Sequence, residues 1–224
     1  MTKLRVVCLV GPTGVGKSAI ALRLAEQFNG EIINADSRQV FEAFPIITAQ
    51  PSQVEQAAFP HHLYGFLKTD ARFSAGAWGE KALGYIEHTA FPVIVGGTGL
   101  YLRAFFDGIV DIPPIPDTIL TRLTEACRIE GSPVLHRKLE EIDPAYAARI
   151  HKNDRQRIVR ALCVYEATGK TFSWWHSQTP PPREADVLRI GLRLPLDTLT
   201  PLLEHRIDLM LEAGALDEAR SEYN

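Results

Sequence analysis

The feature that most limits what this chain can fold into is the join at residues 6–22. A short β-branched run, Val6–Val10, enters Gly11-Pro12-Thr13-Gly14-Val15-Gly16-Lys17-Ser18 and leaves it as a periodic apolar stretch carrying Ile20, Leu22, Leu24 and Phe28. Strand, glycine loop and helix in direct succession make a turn that holds an anion. The glycines let backbone N–H groups point inward, Lys17 adds a point charge, and the Ser18 hydroxyl can bind a Mg²⁺ that bridges phosphates. The spacing specifies phosphate and leaves the rest of the ligand open.

Strands and helices alternate beyond the loop. "EIINADS" at 31–37 reads as a second strand delivering Asp36 and Ser37 at its end, residues 40–70 as irregular, Ser74 as the cap of a helix reaching about Thr89, and "FPVIVGGTGLYL" at 91–102 as strand, glycine turn and helix. From 117 to 169 the pattern is helical, with Asp117, Ser132 and Asp143 as expected caps, Asn153 and Gln156 at capping-box spacing and Gly169 as a stop. "VLRIGLRL" at 187–194 returns to strand. The fold class expected is α/β, a P-loop NTPase-like parallel sheet flanked by helices, with an all-helical insertion: a discontinuous core at 1–109 plus 187–224 and an insertion at 110–186 bounded by "VDIPPIPD" and Pro180-Pro181-Pro182.

Net charge is −3, so no global basic field announces a polyanion partner, and a local patch has to meet one. The candidate patch is Arg149, Lys152, Arg155, Arg157 and Arg160 at the start of a helix, where a solvated face is the ordinary alternative. Cys8, Cys127 and Cys163 are isolated, which fits a reducing cytosol better than a disulfide framework or a zinc site. No run is long enough for a secretory leader or a membrane span. The closing helical stretch stops without a capping Gly or Pro, so a fragment of something longer is one expectation. His61-His62 lack a third ligand and read as structural, and Trp174-Trp175 as packing residues, with stacking on RNA as the alternative.

A kinase or triphosphatase usually holds its Mg²⁺ water shell with an Asp at the end of another core strand. Here that strand ends in Gly96-Gly97-Thr98, and the acid in reach is Asp36, within Asp36-Ser37-Arg38-Gln39. Asp36 alone could equally cap a helix, Arg206 could be a solvated ion pair, and Thr98 could be a plain N-cap.

"GPTGVGKS", "NADSRQV", "PHHL", "VGGTGLYL", "LEEIDPAYAARIHKNDRQRIVRALCVYEATGK" and "HRIDLMLEAG" stand in the order of the tRNA dimethylallyltransferases, and the chain resembles that family over essentially its whole length. The resemblance implies that Gly11 to Ser18 bind the diphosphate of dimethylallyl diphosphate with Mg²⁺ on Ser18. The dimethylallyl group then goes to the exocyclic N6 of an adenosine beside the anticodon of a tRNA. It implies Asp36, Thr13 and Arg206 as catalytic residues. Asp36, Ser37, Arg38, Gln39, Thr98, Gln156, Arg157, Ile158, Val159 and Arg160 are the implied contacts to the anticodon stem-loop. It further implies a cytoplasmic monomer. Pro45, Ile47 and Gln50 depart from the family pattern, which has aspartate, glycine and lysine there, and Phe73 replaces a tyrosine. The readings that stay open beside it are a P-loop kinase for a small metabolite and an inactive RNA- or phosphate-binding module.

Overall fold

A computed structural model of the chain describes residues 4–223; residues 1–3 and 224, the outer ends of the expected core, lie outside them. Two compact units form, one from Met1–Asp107 with Pro182–Asn224 and the other from Gly108–Pro181. In chain order the first unit runs β1 (Leu4–Val10), α1 (Lys17–Phe28), β2 (Glu31–Asn34), α2 (Gln53–Ala58), β3 (His61–His62), α3 (Ala75–Ile86), β4 (Pro92–Gly96) and α4 (Gly99–Phe106). The second unit holds α5 (Asp117–Glu130), α6 (Ser132–Ile142), α7 (Pro144–Ala147), α8 (Arg155–Thr168) and α9 (Phe172–Ser177). The first then resumes with β5 (Ala185–Gly191), α10 (Leu196–Glu212) and α11 (Ala215–Tyr223).

The five strands are all parallel, in the order β3-β2-β4-β1-β5. A parallel sheet is covered on both faces, so its inner strands are buried in continuous runs. Val6 through Leu9 of β1 and all of β4 are buried accordingly, while β5, at the edge, alternates between half-buried and exposed. Ala21 and Ala25 are the buried residues of α1; their small side chains let that helix sit close on Leu9, Ile32, Val93 and Val95. The Cys8 thiol is buried in β1, and burial pushes its pKa up to about 12, so it stays a neutral packing group.

Several sequence expectations shift in detail. The second strand stops at Asn34, short of Asp36, because the chain turns there to bond with its own side chains. The last strand is Ala185–Gly191, two residues earlier than expected at its start. The 40–70 stretch is less irregular than expected: α2 opens with a complete capping box between Ser52 and Glu55, a Ser-x-x-Glu signal present in "PSQVE", and β3 follows. Ser74 caps α3, accepting from the Ala77 N–H, and Asp143 caps α7.

Three caps are corrected. Asp117 and Ser132 are the first residues of α5 and α6, with Pro116 and Gly131 at the cap positions. The cap of α8 is Asp154, which accepts from the Arg157 N–H at 3.1 Å, in place of an Asn153–Gln156 box. The helical unit has its own core of Leu123, Cys127, Leu135, Leu139, Ile158 and Leu162. Asp143 is almost fully buried and ties α7 to α9, accepting from the Ser173 N–H at 2.8 Å and the Ser173 hydroxyl at 2.7 Å.

Candidate active site

Parallel pairing sets Val10 opposite Gly96 and Asn34 opposite Val95, so the carboxyl ends of β1, β4 and β2 open side by side on one edge of the sheet. Open α/β sheets bind their ligands outside those ends. Three expected features converge there: the 11–18 loop after β1, the Asp36–Gln39 turn after β2 and Thr98 after β4.

The loop is shaped by glycine and roofed by α10. Gly14 has φ +81°, and a Cβ on it would stand 2.7 Å from Leu203 Cδ2 and 3.4 Å from Leu199 Cδ1. Any side chain there would strain the backbone and push the Leu203 side chain aside. Leu199, Leu203 and Arg206 follow four-then-three spacing, which puts the arginine on the face of α10 that covers the loop. Lys17 Nζ donates to the Gly11 carbonyl at 2.9 Å and to the Pro12 carbonyl at 2.8 Å, so the ammonium lies across the loop it would share with an anion. Its pKa is lowered first by burial; Asp36 pulls it back up and Arg206 presses it further down. Loop, turn and roof are therefore within electrostatic reach of one another.

The turn is held by a residue the sequence reading passed over. Asn34 is fully buried, and its carboxamide accepts from the Asp36 N–H at 2.8 Å and donates to the Asp36 carbonyl at 3.0 Å and the Leu63 carbonyl at 2.8 Å. Its own carbonyl accepts from the Trp78 indole N–H at 2.7 Å. The signal was available: an asparagine closing an apolar strand has to find partners when buried. With its peptide fixed, Asp36 is half-buried and accepts from the Arg38 N–H at 2.9 Å, an Asx turn; it caps no helix.

Thr98 does precede α4, but its hydroxyl caps nothing. It accepts from the Ser37 N–H at 2.9 Å and donates to the Ser37 hydroxyl at 3.3 Å, binding the end of β4 to the turn. Arg38 is exposed, whereas the Gln39 amide donates to the Thr48 and Ala49 carbonyls at 2.9 and 2.7 Å. Gln50, where the family pattern has lysine, folds back to the Phe41 carbonyl at 2.8 Å. Tyr101, buried and stacked on Trp78 with centroids 4.9 Å apart, has its pKa raised by burial and then by Asp36. Burial and then Asp36 also raise that of Tyr64, so both phenols lie within electrostatic reach of the acid.

The absence of an acid at the end of β4 has a steric cause. A Cβ at Gly96 would lie 2.2 Å from the Ala35 backbone, so no side chain fits. Gly11, Pro12, Thr13, Val15, Gly16 and Ser18 form the rest of the loop and the first helical turn, with Thr13 and Ser18 exposed. Among the described residues no three His, Cys, Asp or Glu side chains come together to hold a metal. A cation here would therefore take Ser18 and the oxygens of its own ligand, which suits Mg²⁺, an ion that keeps waters and substrate phosphates in its shell. The histidines sit at the sheet edge: His61 Nδ1 bonds the Phe59 carbonyl at 2.8 Å, and His62 meets Glu31 at 2.6 Å and stacks on Tyr85.

In the helical unit, the start of α8 borders a groove of about 880 Å³ lined by Arg155, Gln156, Arg157 and Arg160 with Tyr146 and Phe172 as aromatic walls. The four polar side chains are exposed. Ile158 is 0% exposed and its side chain lies in the core of that unit, whereas Val159, 6% exposed, packs on the same core and also lines the groove. Trp174 is exposed, with the Lys170 ammonium 5.2 Å from its ring centroid, and the Trp175 indole donates to Thr168. Among the described residues no helix is long and apolar enough to cross a membrane.

Comparison with known proteins bears on this arrangement. The family model described as IPP transferase matches residues 39–224. A "tRNA dimethylallyltransferase" of Nitratidesulfovibrio vulgaris (strain DP4) is 59% identical over 219 residues, covering 96% of this chain and 71% of the relative. One from Lawsonia intracellularis is 50% identical, covering 98% and 73%. Among solved structures, a eukaryotic dimethylallyltransferase described as acting on tRNA superposes with a TM-score of 0.81 at 32% identity, covering 99% of this chain and 56% of its own. The tRNA isopentenylpyrophosphate transferase of Bacillus halodurans gives a TM-score of 0.63 at 34% identity, covering 99% and 70%.

Proposed function

This chain belongs to the IPP transferase family, the tRNA dimethylallyltransferases, and from that premise we propose that it moves a dimethylallyl group from dimethylallyl diphosphate to N6 of the adenosine beside the anticodon. The observation that carries this reading is the meeting of an anion loop with the Asp36 carboxylate, with Lys17 in electrostatic reach of both Asp36 and Arg206.

The reaction forms a bond between N6 and the allylic carbon, breaks the bond from that carbon to the diphosphate oxygen, and releases pyrophosphate and one proton. The backbone N–H groups of the loop over Gly11 to Ser18, Pro12 excepted, and the Lys17 ammonium bind the diphosphate and stabilise the charge that grows on it as it leaves. Arg206 adds a second positive charge from the roof, and Thr13 stands by as a hydroxyl donor to the bridging oxygen. When bound, Mg²⁺ on Ser18 supplies further charge neutralisation to the leaving group. Asp36, held by Asn34 and its Asx turn, accepts the N6 proton. Ser37, Arg38 and Thr98 border the acceptor base, which has to leave its stack to reach them. Gln156, Arg157 and Arg160 line a groove that suits the phosphates of the stem, with Tyr146 and Phe172 offering faces for an unstacked base.

The test supplies unmodified tRNA, dimethylallyl diphosphate and Mg²⁺ and follows the mass gain on adenosine. Asp36→Ala is expected to slow transfer by about 10²–10⁴-fold while still binding pyrophosphate. Turnover of ATP on a small acceptor with no change in the tRNA sinks the reading in favour of a kinase; binding of RNA or pyrophosphate without transfer selects an inactive module.

A further inference from the structure

The loop over residues 44–50 is held from outside at three points. Gln39 donates from the acceptor turn to the Thr48 and Ala49 carbonyls, and Gln50 donates to the Phe41 carbonyl at the loop's base. The third point comes from 172 residues away in sequence, where the two carboxylate oxygens of Glu218 accept separately from the Ile46 and Ile47 N–H groups, each at 2.8 Å. A carboxylate spanning two successive amides is a charge-assisted, two-point clamp. Glu222, one turn further along α11, accepts from the Thr69 hydroxyl at 2.8 Å, so the helix is fastened to the same irregular segment twice.

The clamped loop is strained. Ala49 has φ +51°, a conformation that a residue with a Cβ keeps only where its surroundings over-determine it. Its carbonyl is one of the two that Gln39 takes. Gln39 is three residues from Asp36 in the turn whose geometry sets the proton acceptor. A line of contacts therefore runs from Glu218 through the Ile46 and Ile47 amides, the strained Ala49 and Gln39 to the Asp36 turn. Glu218 itself touches neither the loop at 11–18 nor Asp36 in any contact the structure records.

We infer that Glu218 is a positioning residue: α11 acts as a strap that fixes the 44–50 loop and, through Gln39, aligns Asp36 toward the acceptor amine. This deepens the proposed transfer reaction and rests on it. The strap's hydrogen bonds lead to the acceptor turn, while Ala49 and Gln50 meet Ser18 across a shared cavity without a recorded hydrogen bond. Its loss is therefore expected to fall on kcat well before the constant for dimethylallyl diphosphate, two constants that a general loss of folding moves together.

The experiment compares Glu218→Ala and Glu218→Gln with the unaltered chain in three measurements: thermal midpoint, amide exchange at Ile46 and Ile47, and tRNA prenylation with both substrates varied. Glu218→Ala is expected to speed exchange of both amides and to lower kcat about tenfold, the scale of one lost charge-assisted bond, with the constant for dimethylallyl diphosphate within twofold. Glu218→Gln keeps one acceptor oxygen and is expected to recover part of the loss, about threefold below the unaltered rate. Faster exchange with unchanged kcat overturns the positioning role, and unchanged exchange overturns the clamp. A parallel rise in both substrate constants with a lowered thermal midpoint assigns Glu218 to stability alone and overturns the inference as well. An unaltered chain that prenylates no RNA defeats the functional reading instead, and the exchange data then decide the clamp by themselves.

Discussion

The loop at 11–18 and the turn at 34–39 follow β1 and β2, the two strands that flank β4, and serve opposite halves of the proposed reaction, yet they are made in different ways. The loop is local. Its glycines, its lysine and the start of the helix that follows lie within eight residues, and Lys17 finds its partners five and six residues back. The turn is assembled from afar: Asn34 reaches Leu63, Thr98 reaches Ser37, Trp78 reaches Asn34, and Gln39 reaches Thr48 and Ala49. A site for a common anion can be built from backbone and reused; a site that orients one proton acceptor needs side chains brought in by the fold.

The difference is open to attack from either side, and the largest expected effect falls on the loop. Lys17→Met is expected to weaken pyrophosphate binding by about 100-fold, the scale of losing a buried charge contact, with the thermal midpoint nearly unchanged. Isothermal titration with pyrophosphate checks it, and a large drop in thermal midpoint would show the loop to be less self-contained than its local bonds indicate.

Asn34→Ala comes next and is expected to act on stability. It strands the Leu63 carbonyl and the Asp36 N–H in a buried setting, at a cost of about 2–3 kcal/mol, read by denaturant unfolding. Pyrophosphate affinity of the folded fraction should stay within a few-fold. Thr98→Val keeps the shape, removes the acceptor for the Ser37 N–H, and is expected to cost about 1 kcal/mol and to slow transfer more than it weakens pyrophosphate binding.

The smallest effect at neutral pH is the one that joins the two regions. Burial holds the Lys17 pKa below its ordinary 10.5, and the Asp36 charge partly restores it. A bound diphosphate favours the protonated amine, so binding takes up a proton once the pH exceeds the free-protein value. The Lys17 contribution to pyrophosphate affinity is therefore constant below that value and falls as the pH rises through it, by up to about tenfold per unit, on top of the ligand's own ionisation. Asp36→Asn removes the restoring charge and should move the onset of the fall to lower pH; an onset that stays put would mean loop and turn are electrically independent.

Much of the core was legible because its signals are short-range. The β-branched runs at Val6–Val10 and Pro92–Gly96 are buried strands, Ser74 is a cap, and the α/β class with a parallel sheet is the one observed. What escaped depended on which of several adequate residues the tertiary contacts selected. Asn153, Asp154 and Gln156 all suit a helix start, and Asp154 is the one whose carboxylate accepts from the Arg157 N–H at the head of a helix that buries Ile158 and Leu162. The same burial turns the side chain of Ile158 inward, while Gln156, Arg157 and Arg160 stay exposed along the groove that Val159 also lines.

By itself the sequence determined the anion loop, since glycines at fixed spacing after a buried strand leave the backbone N–H groups few other arrangements. It also determined the family, through several motifs in one order. Only the tertiary structure decided how Asp36 is presented and why β4 ends without an acid. The first follows from Asn34 and Thr98, whose partners lie 29 and 61 residues away. The second follows from Ala35 pressing against Gly96 so closely that a side chain has no space. Both are contacts between segments distant in sequence, and the residues that meet across them carry no mark of it until the chain has closed.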